Sequence, residues 1–104
     1  MLALMIKIAA IGIAGPVLEE LIFRGFLIFL LRRKGLKTGL VIFLTALVWS
    51  GMHWNYEPAL IGMIFVDGLV LGLIRVKTGS LWVPITLHVM ANLFSIYQSV
   101  TAMK

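Results

Sequence analysis

The sequence predicts an all-α integral membrane bundle of about four transmembrane helices. Three observations predict it. The chain is 62% hydrophobic and only 12% charged, with a mean hydropathy of +1.09, whereas soluble domains are about 45–50% apolar and about 25% charged. Four apolar stretches alternate with three short polar breaks. No stretch shows period-two alternation, and a backbone in lipid must satisfy its own hydrogen bonds, so helix is the expected form.

The first apolar stretch runs from Leu2 to about Leu31 and is interrupted by Gly15-Pro16 and then by Glu19, Glu20 and Arg24. Its first residues resemble a signal peptide in apolarity, but no Lys or Arg precedes Lys7. Leu2 to Ala14 is therefore read as the upper part of a membrane helix. The break Arg32–Gly39 follows. The second stretch is Leu40 to His53, continuing toward Glu57, where Pro58 stops it. The third runs from Ala59 to Ile74, and the fourth from Trp82 to Val100, after the break Arg75–Ser80. There is no internal repeat, and the whole of residues 1–104 reads as one domain.

Charge orients the bundle. Four of the nine basic residues fall between Arg32 and Lys37. The first and third breaks share a side by parity and both are basic, while Trp54–Pro58 carries no Lys or Arg. The positive-inside rule places Arg32–Gly39 and Arg75–Ser80 in the cytoplasm of a multi-pass membrane protein. A net charge of +5 concentrated beside apolar stretches suits anionic headgroups, not nucleic acid. The absence of cysteine excludes thiolate nucleophiles and Cys-based zinc sites.

The informative residues are the rare polar ones within the apolar stretches. At about 1.5 Å per residue, Glu19 lies about 20 Å and Arg24 about 12 Å above Arg32. His53 lies about 20 Å above Leu40, while Asn92 and His88 lie about 18 Å and about 12 Å above Ser80. Helices running in different directions thus bring their polar groups to one layer. Glu20 with Arg24, and His88 with Asn92, are each four apart and share a face. Asp67, about 12 Å above Arg75, is level with Arg24 and is expected to pair with it. The set Gly68-x-x-x-Gly72, with Gly62 nearby, reads as close helix packing.

Two carboxylates, two imidazoles and a carboxamide suit hydrolysis. A carboxylate or imidazole can deprotonate water. Imidazole and carboxamide N–H groups can stabilise an oxyanion. His and Glu can also hold a zinc ion. There is no His-Glu-x-x-His, no second aspartate and no Gly-x-Ser-x-Gly, which argues against zincin, aspartyl and serine hydrolase plans.

Three segments carry a resemblance. Glu19-Glu20-Leu21-Ile22-Phe23-Arg24 reads Glu-Glu-x-x-x-Arg. Trp49–His53 resembles Phe-x-x-x-His with Trp in place of Phe, and His88–Asn92 reads His-x-x-x-Asn. In this order they resemble the CPBP family of CAAX proteases and bacteriocin-processing enzymes, also called the Abi or type II CAAX prenyl endopeptidase family. The run Lys77–Ile85 leading into His88 is similar too, so the resemblance covers Gly15 to Asn92.

That resemblance implies an intramembrane endopeptidase acting on membrane proteins or CAAX-like peptides. It implies that Glu19 activates water, that His53 assists it, and that His88 and Asn92 stabilise the oxyanion. Glu20, Arg24 and Asp67 are left as structural support. It implies either a zinc held by Glu19, His53 and His88 or a metal-free glutamate mechanism, and the sequence leaves both open. Family members usually have more helices than this chain. It is therefore expected to be truncated at its N-terminus, to be a minimal core, or to complete its site as a homo-oligomer. Two other classes stay open: a non-catalytic immunity or scaffold protein, and a small proton relay or transporter.

Overall fold

The computed structural model describes residues 1–102 of the chain. They form four helices and, among the described residues, no strand. Helix α1 spans Leu2–Arg33, α2 Thr38–Gly51, α3 Pro58–Thr78 and α4 Trp82–Ala102. The molecule measures 50 × 28 × 17 Å, its long dimension matching 32 residues of α1 at about 1.5 Å each.

Helix α1 is continuous through Gly15-Pro16 and Glu19–Arg24, the two places where the apolar run is interrupted. The discontinuity is absorbed by two π-helical segments, Ile8–Ala14 and Leu21–Leu27. The first precedes Pro16, which has no N–H and whose ring crowds the preceding turn. Widening that turn relieves the crowding, and Gly15 N–H bonds to Ala10 O, five residues back. The helix ends in a Schellman motif. Gly35 adopts φ 87°, its N–H bonding Arg32 O at 3.0 Å, and Leu36 N–H bonds Leu31 O at 3.3 Å.

Helices α2 and α3 form a tight antiparallel pair. The buried stripe of α2 is Val41, Thr45, Ala46, Trp49 and Ser50. A Cβ on Gly68 would stand 3.0 Å from the Ala46 Cβ and the Trp49 ring, and one on Gly72 would stand 3.2 Å from Ile42. Both glycines therefore permit close packing, while Gly62 faces open space. Helix α3 begins with Pro58 in its first turn and ends at Gly79 in the left-handed region, φ 67°. Helix α4 crosses α1 at Gly12, whose Cβ would strike Leu93 at 2.6 Å.

Two of the four helices, α1 and α3, are by themselves long and apolar enough to cross a membrane. Helix α2, at 14 residues, rises about 21 Å, short of a hydrocarbon core of about 30 Å. Helix α4 is long enough, but Thr86, His88, Asn92, Ser95, Gln98 and Ser99 dilute its hydropathy. The central core is small: Phe23, Trp49 and Leu71, with Leu27 and Ile64 against them. Phe26, Phe29, Met63, Met90 and Phe94 are all more than half exposed, an outward apolar surface suited to lipid. Arg32, Arg33 and Arg75 line one groove, so the two basic breaks lie at the same end of the bundle, as parity required.

Candidate active site

The deepest feature is a buried charge cluster that draws on all four helices. Glu20 and Arg24 are fully buried. Arg24 Nη1 donates to Glu20 Oε2 at 2.9 Å, and His88 Nδ1 lies 2.8 Å from the same oxygen. Arg24 Nη2 donates to the carbonyl of Gly68 at 3.2 Å. The guanidinium also sits over the Trp49 ring, 4.5 Å from its centroid. Arg75 Nε closes the cluster from below by donating to Arg24 O at 3.1 Å. As a carboxylate Glu20 can only accept, so His88 Nδ1 carries a proton and the work of His88 falls to Nε2.

Glu19 occupies a different environment, one residue and therefore about 100° around the helix. It is half-buried, and Trp49 Nε1 donates to its Oε2 at 2.7 Å. Its other oxygen has no protein donor among the described residues. Trp49 stands edge-on to both imidazoles, 5.7 Å from His53 and 5.5 Å from His88 between centroids. His53 Nδ1 is 2.8 Å from Trp49 O. A carbonyl only accepts, so this nitrogen is protonated and Nε2 keeps its lone pair.

These groups open onto a cleft of about 740 Å³. Glu19, His53, Asp67, His88 and Asn92 line it, whereas Glu20 and Arg24 lie behind its wall. Asn92 Nδ2 donates to Ile11 O at 3.0 Å. That carbonyl lies in the π segment before Pro16. In the five-residue register its donor would be the N–H of residue 16, which proline lacks. Asn92 satisfies it and keeps a second N–H for the cleft. A half-buried carboxylate, two imidazole Nε2 atoms and a carboxamide N–H around one cleft are the elements of water activation and oxyanion stabilisation.

The structure departs from the sequence reading at three places. Asp67 does not pair with Arg24. It is exposed on the cleft, and the neighbouring Gly68 carbonyl takes the guanidinium instead. His53 is not on α2, which ends at Gly51; a turn closed by His53 N–H to Ser50 O at 3.0 Å carries it. Glu19, His53 and His88 do not converge as a ligand set. Among the described residues no three His, Asp or Glu side chains could hold one metal ion. Zinc therefore does not fit the donor arrangement of the described residues.

Motif spacing undervalued Trp49, whose indole N–H fixes one oxygen of Glu19. A buried indole needs an acceptor for its N–H, and Glu19 was the carboxylate without an evident partner. Those two facts together were the available signal.

A sequence model of the family described as type II CAAX prenyl endopeptidase Rce1-like matches residues 1–94. The matched region contains Glu19–Arg24, Trp49–His53 and His88–Asn92. An Escherichia coli protein described as an uncharacterized 24.3 kDa protein is 29% identical over 89 residues, covering 84% of this chain and 41% of that protein. The chain spans about two-fifths of the length of this curated relative. No solved structure matches it.

Proposed function

Because the chain belongs to the type II CAAX prenyl endopeptidase Rce1-like family, a family of membrane proteases, we propose that its cleft hydrolyses peptide bonds of membrane-associated, CAAX-like substrates with Glu19 as general base. One observation carries this reading. Glu19 has one oxygen fixed by the Trp49 indole and the other free, on the wall of a cleft that His53 and His88 share.

The chemistry follows from those positions. The free Glu19 oxygen accepts a proton from water as its oxygen adds to the scissile carbonyl carbon. His53 Nε2 accepts a hydrogen bond from the same water and aligns it. The oxygen of the former carbonyl becomes an oxyanion and takes the second N–H of Asn92. Collapse breaks the C–N bond, and the proton held by Glu19 passes to the leaving amine. Glu20 and Arg24 do not touch substrate in this scheme; they fix His88. The basic ends of α1 and α3 face the cytoplasm of a multi-pass protein, and the open side of the cleft is closed by further helices or by a second copy.

The test is cleavage of a prenylated CAAX peptide by the full-length protein in detergent. Glu19→Gln is expected to abolish cleavage while leaving the thermal unfolding profile and peptide binding intact. Binding without cleavage in the unsubstituted protein would support a scaffold or immunity role instead. Proton flux in liposomes that Glu19→Gln removes would support a relay.

A further inference from the structure

At the basic end of the bundle lies a second groove, of about 440 Å³, lined by Ile28, Phe29, Arg32, Arg33 and Arg75. We infer that it binds the phosphate of an anionic phospholipid, held by the three guanidiniums with its acyl chain against Phe29.

The convergence is tertiary. Arg75 lies on α3, more than 40 positions from Arg32 and Arg33 at the end of α1. Bringing three like charges to one groove is unfavourable without a counter-charge. The described residues supply none there: the acidic side chains of the chain are Glu19, Glu20, Glu57 and Asp67, and none lines the groove. The counter-charge therefore comes from outside the chain.

Arg75 is already aimed. Its Nε donates to Arg24 O at 3.1 Å, which fixes the side chain and leaves both terminal nitrogens for a ligand. A planar guanidinium held this way suits phosphate oxygens, with less freedom to lose on binding than an unanchored lysine has.

The apolar part of the groove separates a lipid from a free anion. Phe29 is 52% exposed beside the arginines, with the Arg33 guanidinium 6.0 Å from its ring centroid. Cations edged by exposed apolar surface match a molecule that carries a phosphate and a hydrocarbon chain together. The groove volume falls within the range of about 300–1,000 Å³ common for ligand sites. Basic recesses between membrane helices at a headgroup level are suited to anionic lipids.

The experiment is native mass spectrometry of the delipidated full-length protein titrated with phosphatidylglycerol or phosphatidylcholine of matched chains. Cleavage plays no part in the readout, so the result is independent of the proposed hydrolysis. Phosphatidylglycerol is expected to bind at least about tenfold more tightly than phosphatidylcholine. Arg32→Gln with Arg33→Gln, both exposed, is expected to weaken it by about fivefold per arginine removed. Lys34→Gln with Lys37→Gln removes equal charge from the adjoining loop and is expected to change binding less than twofold. Equal loss in the two double variants would overturn the site in favour of diffuse surface charge. Displacement of the lipid by millimolar inorganic phosphate would overturn the lipid assignment. Equal binding of the two lipids would overturn the role of the phosphate charge.

Discussion

Replacing Trp49 by phenylalanine removes one hydrogen bond and little else. The ring still fills the space between Phe23 and Leu71, and it still offers a face to Arg24. What disappears is the indole N–H that meets Glu19 Oε2 at 2.7 Å. A hydrogen bond to a charged group is worth about 1.5–3 kcal/mol. Since about 1.36 kcal/mol corresponds to tenfold in rate, the lower bound alone allows about a tenfold fall in kcat. The loss should appear in kcat, with KM within about twofold, because the bond orients the base and does not hold the peptide. The assay is steady-state cleavage of a CAAX peptide by the full-length protein. Glu19→Gln serves as the zero point, and circular dichroism verifies the helical content. Phenylalanine is also the residue in the family pattern at this position. Unchanged or increased kcat in Trp49→Phe, with Glu19→Gln still inactive, would show that the carboxylate is oriented by something other than the indole.

Three further outcomes are expected. Arg24→Met leaves the Glu20 carboxylate buried without its cation and should cost about 3–5 kcal/mol, read as a lower unfolding midpoint in detergent; a midpoint equal to the parent's would contradict the ion-pair reading. Gly68→Ala drives a methyl group into Ala46 and Trp49 and should cost about 1–3 kcal/mol, whereas Gly62→Ala, which meets nothing within 4 Å, should be neutral or stabilising. Asn92→Ala strands the Ile11 carbonyl and should cost about 1–3 kcal/mol; amide hydrogen exchange across Ile8–Gly15 should rise, and unaltered exchange there would refute the tie between α1 and α4.

How much of this was legible beforehand depends on which coordinate is meant. Depth along each helix was readable, because rise per residue is nearly constant. Depth counting placed Asn92 near the level of Glu19 and His88 near that of Arg24, and all four belong to the cluster and the cleft beside it, although the contact of His88 with Glu20 was not foreseen. Azimuth was not readable. Asp67 has the right height to meet Arg24, yet Gly68, one residue and about 100° away, is the one that faces it. A depth count cannot see that difference. His53 was displaced for a related reason: apolar composition continues past Gly51, but the backbone turns there, and composition does not report the turn. The π segments could not be read from spacing, although Pro16 within an otherwise helical stretch marked where the regular hydrogen bonding had to yield. The Glu20–Arg24 pair was readable because four residues apart on one helix is a local relation, insensitive to the rest of the fold.

The wide turn at Ile8–Ala14 also sets the phase of α1. It accommodates an additional residue per turn, so the segment above it is rotated relative to an uninterrupted α-helix. Lys7, on that segment, lines the same cleft as Glu19. Deleting one residue from Ile8–Ala14 would remove the residue that the wide turn absorbs and leave Leu2–Lys7 in the same phase, whereas the same deletion from a regular α-helical turn would swing that segment about 100° around the axis. Glu19 and Glu20, on the far side of the turn, would keep their place. The upper mouth of the cleft and its floor are thus held in phase along one continuous helix, although the residues between them do not count out as regular α-helix. The wide turn is thus a place where α1 can lose a residue and still hold Lys7 at the rim of the cleft that Glu19 lines.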